Sequence, residues 1–345
     1  MNAQVPHDWS RQEVTYVEHP VIGRIGAIVV DSTTLGPALG GCRFWSYESI
    51  EHALIDGRRL ARGMSYKNAL AGLPLGGGKS VLAKPAGDFD RSEIFRAFAH
   101  ALDSLGGEYV TAEDVGTKVE DMELVRSITP HVYGVSAASG RAGGDPSPWT
   151  AQGVFASICA VADLMEQPVA GMKVAVQGLG NVGMCLAELL HDRGAELTVA
   201  DINTQSTNIA VNKFGAKVAS ASEIHKAEVD VFAPCALGAI LNETTIPDIR
   251  ARAIVGAANN QLATEQDGKR IMSRGILYAP DYVVNAGGVI NVAGEYFKET
   301  PSQVSTKVEK IGERLIDILS RARELAVPTN VAADMMAREI IHQRS

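Results

Sequence analysis

The sequence predicts an α/β protein of two domains, and three observations lead to this class. Strand-like apolar runs alternate with amphipathic helical patterns along the whole chain of 345 residues. A hydrophobic content of 46% supplies enough apolar surface for two packed cores. Residues 139–149 are rich in glycine, proline and serine, as linkers are. We therefore predict one domain at residues 1–138, completed by a C-terminal helix at about 326–345, and a second domain at 139–325.

Composition and charge exclude several classes of function. A net charge of −8 argues against a nucleic-acid surface. No apolar run is long enough to span a bilayer, and the N-terminal residues lack the basic start and apolar core of a signal peptide. The four cysteines show neither a disulfide framework nor zinc-ligand spacing. The sequence thus predicts a cytoplasmic protein without a metal, nucleic-acid or membrane partner.

The first half is organised around Gly72-Leu-Pro-Leu-Gly-Gly-Gly-Lys-Ser80. Its last three residues mimic a phosphate-binding P-loop, but Gly72 is one position out of register with that motif. A strand pattern, not a helix, follows Lys79. We therefore interpret the glycines as a sharp backbone turn that exposes bare backbone, with Lys79 at the end of the turn.

Other polar residues of the first half also fall where predicted elements end. Lys67 ends an amphipathic helix over residues 50–66, Asp114 follows a short strand, and Gly40 and Gly41 belong to a turn-rich segment. Two lysines and a carboxylate around bare backbone suit an α-amino or α-keto acid. One lysine can pair with the α-carboxylate, and a second one, beside another cation, would have a lowered pKa and could act as a base. Asp114 could exchange protons with the amino group.

The second half carries a dinucleotide-binding pattern. The buried strand 173–177 leads into Gly178-x-Gly180-x-x-Gly183, a helix and a second strand that ends at Asp201. The glycines permit a tight turn, close approach of a pyrophosphate and close helix packing, and the pyrophosphate lies at the helix N-terminus. Asp201 lies 18 residues after Gly183, near the usual offset of the ribose-binding carboxylate. Such a carboxylate repels a 2′-phosphate, so the pattern favours NAD over NADP.

Taken together, these motifs resemble the glutamate/leucine/phenylalanine/valine dehydrogenase family over almost the full chain, and most closely its leucine, valine and phenylalanine enzymes. The resemblance implies an α/β substrate domain, an NAD-binding Rossmann domain and a cleft between them. It also implies oxidative deamination of an L-amino acid to its 2-oxo acid and ammonia, and a homo-oligomer. The motifs that carry it are residues 36–43, 64–69, 72–79, 111–117, 146–150, 178–183, 258–261 and 278–288.

The resemblance also implies roles for individual residues. Lys79 resembles the catalytic lysine that activates water, and Asp114 the carboxylate that shuttles protons. Lys67 with the backbone of Gly40 and Gly41 resembles the α-carboxylate site. Asn260, favoured over the adjacent Asn259, would contact the substrate amine. The NAD site would comprise Gly178, Gly180, Asn181, Val182, Gly183, Asp201, Thr150, Cys235, Ala236 and Asn285.

The expected substrate is apolar. Glutamate dehydrogenases carry a lysine before the glycine pair, where this chain has Leu39, and a hydroxyl-bearing residue where it has Val292. A buried second carboxylate without a cation would be penalised strongly. The residues expected to line an apolar pocket are Leu39, Ala112, Val289 and Val292. Leucine, valine or isoleucine would fit, and phenylalanine stays open because each methylene changes the binding free energy by only about 1–3 kcal/mol.

Two other functions remain to be weighed at this point, and the oligomeric state also stays open. A regulator that binds NAD but has lost catalysis would lack Lys79 or Asp114, and both are present. A P-loop nucleotide hydrolase would bind ATP instead of NADH. The chain also ends soon after its last helical pattern, without the longer tail of octameric leucine dehydrogenases, so dimer and octamer both stay open.

Overall fold

The computed structural model describes residues 9–135, 140–236 and 238–343. The described chain forms two compact units. The first comprises the described parts of Met1–Gly144, Glu295–Lys298 and Ala337–Ser345, and the second those of Asp145–Gly294 and Glu299–Met336. The predicted boundary between residues 138 and 139 lies outside the described residues. The prediction of an α/β fold with two domains is confirmed.

The first unit is built on a mixed five-stranded sheet in the order β1-β2-β4-β3-β5. The β1–β2 and β2–β4 pairs are antiparallel, whereas β3 is parallel to both β4 and β5. The strands are β1 (Glu13–His19), β2 (Gly23–Ser32), β3 (Ala38–Trp45), β4 (Gly76–Ala83) and β5 (Tyr109–Glu113). The helices are α1 (Ile50–Leu70), α2 (Arg91–Asp103) and α3 (Val119–Arg126). An apolar core between the sheet and α2 includes Phe95, Phe98 and Tyr109.

The glycines of the first unit lie in strands, which corrects the prediction of a turn at residues 76–78 and at Gly40–Gly41. Gly76–Gly78 begin the central strand β4, and Gly40–Gly41 lie in β3. A β-carbon at Gly77 would lie 2.0 Å from the backbone nitrogen of Ser65 on α1, and one at Gly40 would lie 1.8 Å from the carbonyl oxygen of Gly78. Glycine is required here because backbones pack closely, not because the chain bends. The bend itself falls at Gly72, whose φ is +69°.

This packing predicts a large difference between two glycine substitutions. Gly77→Ala would push its methyl group into α1, so we expect the free energy of unfolding to fall by at least about 1–3 kcal/mol. Gly63→Ala is the matched control, because Gly63 lies exposed within α1 and an added β-carbon meets nothing within 4 Å. It should stabilise by roughly 0.5–1 kcal/mol. Urea unfolding measures both, and equal stability of the two variants would contradict the packing argument.

The second unit has the architecture of a Rossmann domain. Its six strands are all parallel, in the order β11-β10-β9-β6-β7-β8, which matches the doubly wound order with the first strand at the centre. The strands are β6 (Lys173–Gln177), β7 (Glu196–Ala200), β8 (Lys217–Val218), β9 (Val231–Pro234), β10 (Ala253–Ile254) and β11 (Leu277–Tyr278). The helices that lie wholly or mainly in this unit are α4 (Ser147–Leu164), α5 (Asn181–Asp192), α6 (Thr204–Phe214), α7 (Glu265–Ser273), α8 (Asp281–Val284), α9 (Gly287–Tyr296), α10 (Pro301–Leu325) and α11 (Thr329–His342).

The C-terminal segment differs from the prediction that residues 326–345 complete the first domain. Of the described residues in this segment, only 337–343 belong to the first unit, whereas those up to Met336 belong to the second. The start of α11 is held in the second unit because Thr329 Oγ1 donates to the carbonyl of Tyr278 at 2.7 Å. Further along, Arg338 Nε donates to the hydroxyl of Tyr66 at 2.8 Å in the first unit.

Candidate active site

The first unit brings Lys79 and Asp114 together. Lys79 Nζ lies 2.7 Å from Asp114 Oδ2. Lys79 is only 5% exposed, although it carries an ammonium group. Such a buried ion pair is costly to desolvate unless it is well satisfied, so its presence marks a site with a function beyond stability. The partner of Lys79 is thus a carboxylate, not the second cation that the sequence suggested.

Strand alternation explains how these side chains meet. Ser80 faces the α2 core, where its hydroxyl donates to Tyr109 at 3.0 Å. Lys79, one residue earlier, therefore faces the opposite side of the sheet, the side that α1 covers in part. Asp114 follows the last residue of β5, and the amide of Asp114 donates to Thr117 Oγ1 at 2.9 Å. The continuation of β4 beyond Lys79 also rules out the P-loop, which needs a helix there.

Arg43 gives Asp114 a second cation. Arg43 Nε lies 3.3 Å from the same Oδ2 atom that contacts Lys79, and Arg43 Nη1 lies 3.1 Å from Asp56 Oδ2 on α1. The Tyr47 hydroxyl donates to that Asp56 oxygen at 2.9 Å. Sequence reasoning missed this cluster. Arg43 did fall in the glycine motif at residues 36–43, but nothing near it in the chain indicated its partner.

The charges around Asp114 decide its ionisation. Burial raises the pKa of the Asp114 carboxyl, but the Lys79 ammonium and the Arg43 guanidinium lower it more, so its pKa lies below the usual range. Asp56 behaves in the same way. Burial raises its pKa, and its bonds from Arg59 and Tyr47 together with Arg43 bring it below the usual range. Both carboxyl groups are therefore anionic at neutral pH.

Gly41, one of the residues predicted for the carboxylate site, lies on the sheet face that carries Lys79. A β-carbon at Gly41 would lie 2.7 Å from the β-carbon of Asp114, so the glycine is what lets Asp114 approach β3 this closely. Lys67 lies half-buried in the last turn of α1. The next residue, Asn68, ties this turn to the sheet, because its side-chain amide donates to the carbonyl of Gly76 at 2.6 Å.

Two of the predicted apolar residues also lie on this face. Leu39 precedes Gly41 by two positions in β3, and Ala112 pairs with Gly41 across the β3–β5 ladder. By alternation, Leu39, Gly41 and Ala112 project to the side that carries Lys79. Leu39 is 1% exposed and Ala112 8%. Leu39 and Ala112 therefore make part of the sheet face that carries the Lys79–Asp114 pair apolar.

In the second unit, the glycine loop has the geometry that its motif requires. Gly178 has a φ of +94° and leaves no room for a β-carbon against Ala236, and a β-carbon at Gly183 would collide with the carbonyl of Gly178. Gly180 caps α5, and a β-carbon there would meet nothing within 4 Å. Asn181, exposed, and Val182, half-buried, form the first turn of α5. Open space before a helix N-terminus suits a pyrophosphate.

Asp201 lies beside this loop. One carboxylate oxygen accepts from the amide of Leu179 at 2.6 Å, and the other accepts from the amide of Asn203 at 2.7 Å. An ionised carboxylate has about four acceptor sites, so the half-buried Asp201 keeps capacity for the hydroxyl groups of a ribose. The residues around the loop therefore fit a dinucleotide.

The remaining predicted cofactor residues lie on neighbouring segments. Cys235 and the exposed Ala236 follow β9, and burial raises the pKa of the Cys235 thiol to about 11. Thr150 lies in the first turn of α4, where a β-carbon at Gly288 would lie 2.7 Å from its Oγ1. The buried Asn285 donates its amide to the carbonyl of Ala257 at 3.0 Å and to Asn259 Oδ1 at 2.8 Å.

Asn260 is held in an unusual backbone conformation. Its φ is +53°, a value that asparagine tolerates better than most residues. The buried Asp281 accepts from the Asn260 amide at 2.8 Å and from the Tyr278 hydroxyl at 3.1 Å. Sequence reasoning did not single out Asp281. Val289 and Val292 lie three positions apart on α9 and so share one side of that helix.

Comparison with known proteins places this fold and site in one family. The protein-family model described as Glu/Leu/Phe/Val dehydrogenase, dimerisation domain, matches residues 18–131 of the sequence. The model described as Glutamate/Leucine/Phenylalanine/Valine dehydrogenase matches residues 145–205 and 197–339. The chain therefore belongs to the Glu/Leu/Phe/Val dehydrogenase family. It is an amino acid dehydrogenase, an oxidoreductase that deaminates its substrate with a nicotinamide dinucleotide.

Individual relatives agree with this assignment. Leucine dehydrogenase of Bacillus subtilis is 45% identical over 334 residues, which cover 96% of this chain and 92% of that protein. L-tryptophan dehydrogenase of Nostoc punctiforme is 44% identical over 318 residues, 91% of this chain and 88% of that protein. The crystal structure of L-tryptophan dehydrogenase from the same organism matches with a TM-score of 0.86 at 39% identity, covering 96% of both chains.

Proposed function

We propose that this protein is an NAD-dependent dehydrogenase of branched-chain L-amino acids, with leucine, valine and isoleucine as its substrates. The observation that carries the proposal is the Lys79–Asp114 pair, which lies on the same sheet face as Leu39 and Ala112. An apolar wall suits an aliphatic side chain, and it offers no cation for the second carboxylate of glutamate. The leucine dehydrogenases at 44–46% identity support the same choice.

Each polar residue takes one task in this proposal. Lys67 and the backbone of Gly40 and Gly41 hold the α-carboxylate. Asp114 accepts a proton from the α-ammonium group, which leaves the amine lone pair free to push hydride from the α-carbon. Bound NAD would supply the acceptor for that hydride, and the substrate is left as a protonated imine.

Hydrolysis of the imine completes the reaction. Lys79, as the neutral amine, takes a proton from water while the water oxygen attacks the imine carbon. Asp114 returns its proton to the nitrogen and then takes the proton of the new hydroxyl group, so that ammonia leaves as the carbonyl forms. Amino acid, NAD+ and water thus give 2-oxo acid, NADH, ammonium and one proton, which leave Lys79 and Asp114 in their starting forms. On the family resemblance alone, we also assign Asn260 to the substrate amine and Val289 and Val292 to the binding of the substrate side chain.

The amino acid panel tests this function. We expect NADH formation at alkaline pH with L-leucine, L-valine and L-isoleucine, and kcat/KM at least about tenfold lower with L-phenylalanine and L-tryptophan. L-glutamate should give no detectable rate. A kcat/KM that is highest for phenylalanine or tryptophan would support the alternative, a dehydrogenase of aromatic amino acids. That alternative is favoured by two relatives, an L-tryptophan dehydrogenase at 44% identity and a phenylalanine dehydrogenase at 39% identity.

The choice of NAD over NADP depends on Asp201. Its carboxylate bonds ribose hydroxyl groups and repels a 2′-phosphate. Asp201→Asn keeps an acceptor for the Leu179 amide and removes the charge, so the preference for NAD over NADP, as a ratio of kcat/KM values, should fall by roughly tenfold or more. Asp192→Asn, at the exposed end of α5, is the matched control and should leave the ratio unchanged. An unchanged ratio in Asp201→Asn would reject this role.

Assembly and location complete the proposal. We propose a homo-oligomer, because the model that matches residues 18–131 is described as a dimerisation domain. Within the described residues, every helix is too short or too polar to cross a membrane. All four cysteines are free thiols, which suits the reducing cytoplasm, the compartment we propose. Light scattering on the purified protein would give its subunit number.

A further inference from the structure

The cluster of Arg43, Asp56 and Tyr47 is not used by the reaction as described above. It nevertheless reaches the reacting groups, because Arg43 Nε lies 3.3 Å from the Asp114 oxygen that contacts Lys79. Arg43 and Asp56 are each 19% exposed at the side chain, so their interaction is only partly screened by solvent. In this position, the charges of Arg43 and Asp56 affect the free energy of every protonation change at Asp114 and Lys79.

We propose that Arg43 and Asp56 are positioning residues that keep the Asp114 carboxyl group oriented beside Lys79 while both groups gain and lose protons during the reaction. This proposal rests on the roles proposed above for Lys79 and Asp114.

A permanent cation is needed because Lys79 changes its charge. When Lys79 is the neutral amine, its attraction for the Asp114 carboxylate is lost. Arginine does not lose its proton in proteins. The Arg43 guanidinium therefore keeps one charged partner on Asp114 at that stage, and it favours the return of the proton that the carboxylate has accepted from the substrate.

Asp56 fixes the position of the guanidinium. It bonds Arg43 Nη1 at 3.1 Å, and it is itself held by the Tyr47 hydroxyl at 2.9 Å and by Arg59 Nη2 at 3.0 Å. These bonds come from α1 and from the loop that precedes it. The Arg43 guanidinium thus contacts a carboxylate on each side. It cannot rotate away from Asp114 without also breaking its bond to Asp56.

Charge removal at the two residues should move the pH profile in opposite directions. Loss of the Arg43 charge favours the protonated form of Asp114 and of Lys79 alike, so the acidic limb of kcat/KM moves to higher pH whichever group sets it. Loss of the Asp56 charge disfavours both protonated forms and moves the limb to lower pH. The ionisable groups that face Asp114 or interact with it electrostatically are Lys79 on β4, Arg43 and Cys42 on β3, Tyr109 on β5, Tyr47 and, through Arg43, Asp56.

The test measures kcat/KM for L-leucine against pH with saturating NAD. Arg43→Gln should move the acidic limb up by about one pH unit and lower the pH-independent kcat/KM between about 10- and 100-fold, as misplaced groups do. Asp56→Asn should move the limb down by a fraction of a unit. Arg43→Lys, which keeps the charge, should return the limb towards wild type, and so should the double variant Arg43→Gln/Asp56→Asn.

Controls separate positioning from damage to the fold. Arg96→Gln removes an exposed arginine on α2 and should leave the profile unchanged. Circular dichroism and NADH binding report whether each variant is folded. Limb shifts in the same direction for Arg43→Gln and Asp56→Asn, or no shift in either, would overturn the proposal. Turnover of L-leucine by the wild-type enzyme tests the proposed function separately. No turnover by the wild type would reject both the proposed function and the positioning role. Wild-type turnover without opposite shifts of the acidic limb in the two variants would reject the positioning role alone.

Discussion

Lys79→Ala is expected to lower kcat for deamination of L-leucine by about 10²–10⁴-fold, the range of a lost general base. NADH binding should survive, because the glycine loop and Asp201 belong to the other unit. The pH-independent loss in kcat, with little change in the dissociation constant of NADH, separates a catalytic role from a binding role. Stopped-flow turnover and fluorescence titration with NADH measure the two quantities.

The matched control for this variant is Lys84→Ala. Lys84 lies just after the end of β4 and is exposed, so its removal changes the charge of the same strand region without reaching Asp114. Its kcat should equal that of the wild type. Near-normal turnover by Lys79→Ala would contradict the role assigned to Lys79.

Asp114→Asn has the second largest expected effect. The amide has the same shape as the carboxylate but cannot take a proton from the substrate ammonium, so we expect kcat to fall by about 10²–10⁴-fold. The exposed Asp103 at the end of α2 offers a control, since Asp103→Asn removes an equal charge elsewhere on the unit. Equal kcat values for the two variants would show that Asp114 carries no proton.

The same substitution should change how stability depends on pH. The folded-state pKa of Asp114 is below the unfolded value, which is about 3.9 for aspartate. Its ionised form therefore stabilises the fold at any pH above about 3.9, and that contribution is lost as pH falls through the lower, folded-state value. Wild type should exceed Asp114→Asn in free energy of unfolding at neutral pH, and the difference should shrink below about pH 4. Urea unfolding at several pH values would measure it, and a difference that grows on acidification would contradict the sign.

The Rossmann unit could be predicted from the sequence because its local signals agree. A buried strand, three spaced glycines, an amphipathic helix and an acidic residue at the end of the next strand all occur in order from residue 173 to Asp201. Each signal depends on neighbours in the chain, so no long-range contact had to be guessed. The strand order then follows from the general rules for parallel sheets.

The secondary structure of the first unit was harder to predict from the sequence, because tertiary packing overrides local propensity there. Three consecutive glycines indicate a turn by propensity, yet Gly76–Gly78 lie in a central strand because α1 and Tyr109 pack against their backbone. The contact of Gly77 with Ser65 of α1, twelve residues earlier, leaves no local trace in the chain. Gly40–Gly41 were misassigned for the same reason.

The candidate site was predicted as a set of residue types but not as an arrangement. Motif resemblance selected Lys79 and Asp114, and only the register of β3, β4 and β5 places them 2.7 Å apart. Arg43 and Asp56 had no such signal, because an arginine in a strand and an aspartate in a helix look like ordinary surface charges. Their role depends on a contact between elements that the sequence does not encode locally.

Isotope transfer is the most direct measurement of the central claim, that this chain moves hydride from the α-carbon of an apolar L-amino acid to NAD. The enzyme would be supplied with L-leucine deuterated at the α-carbon, and the product NADH would be examined by mass spectrometry while ammonia is quantified. We predict one deuterium in each NADH and one ammonia for each NADH formed. NADH without deuterium, or deuterated NADH without ammonia, would contradict the claim.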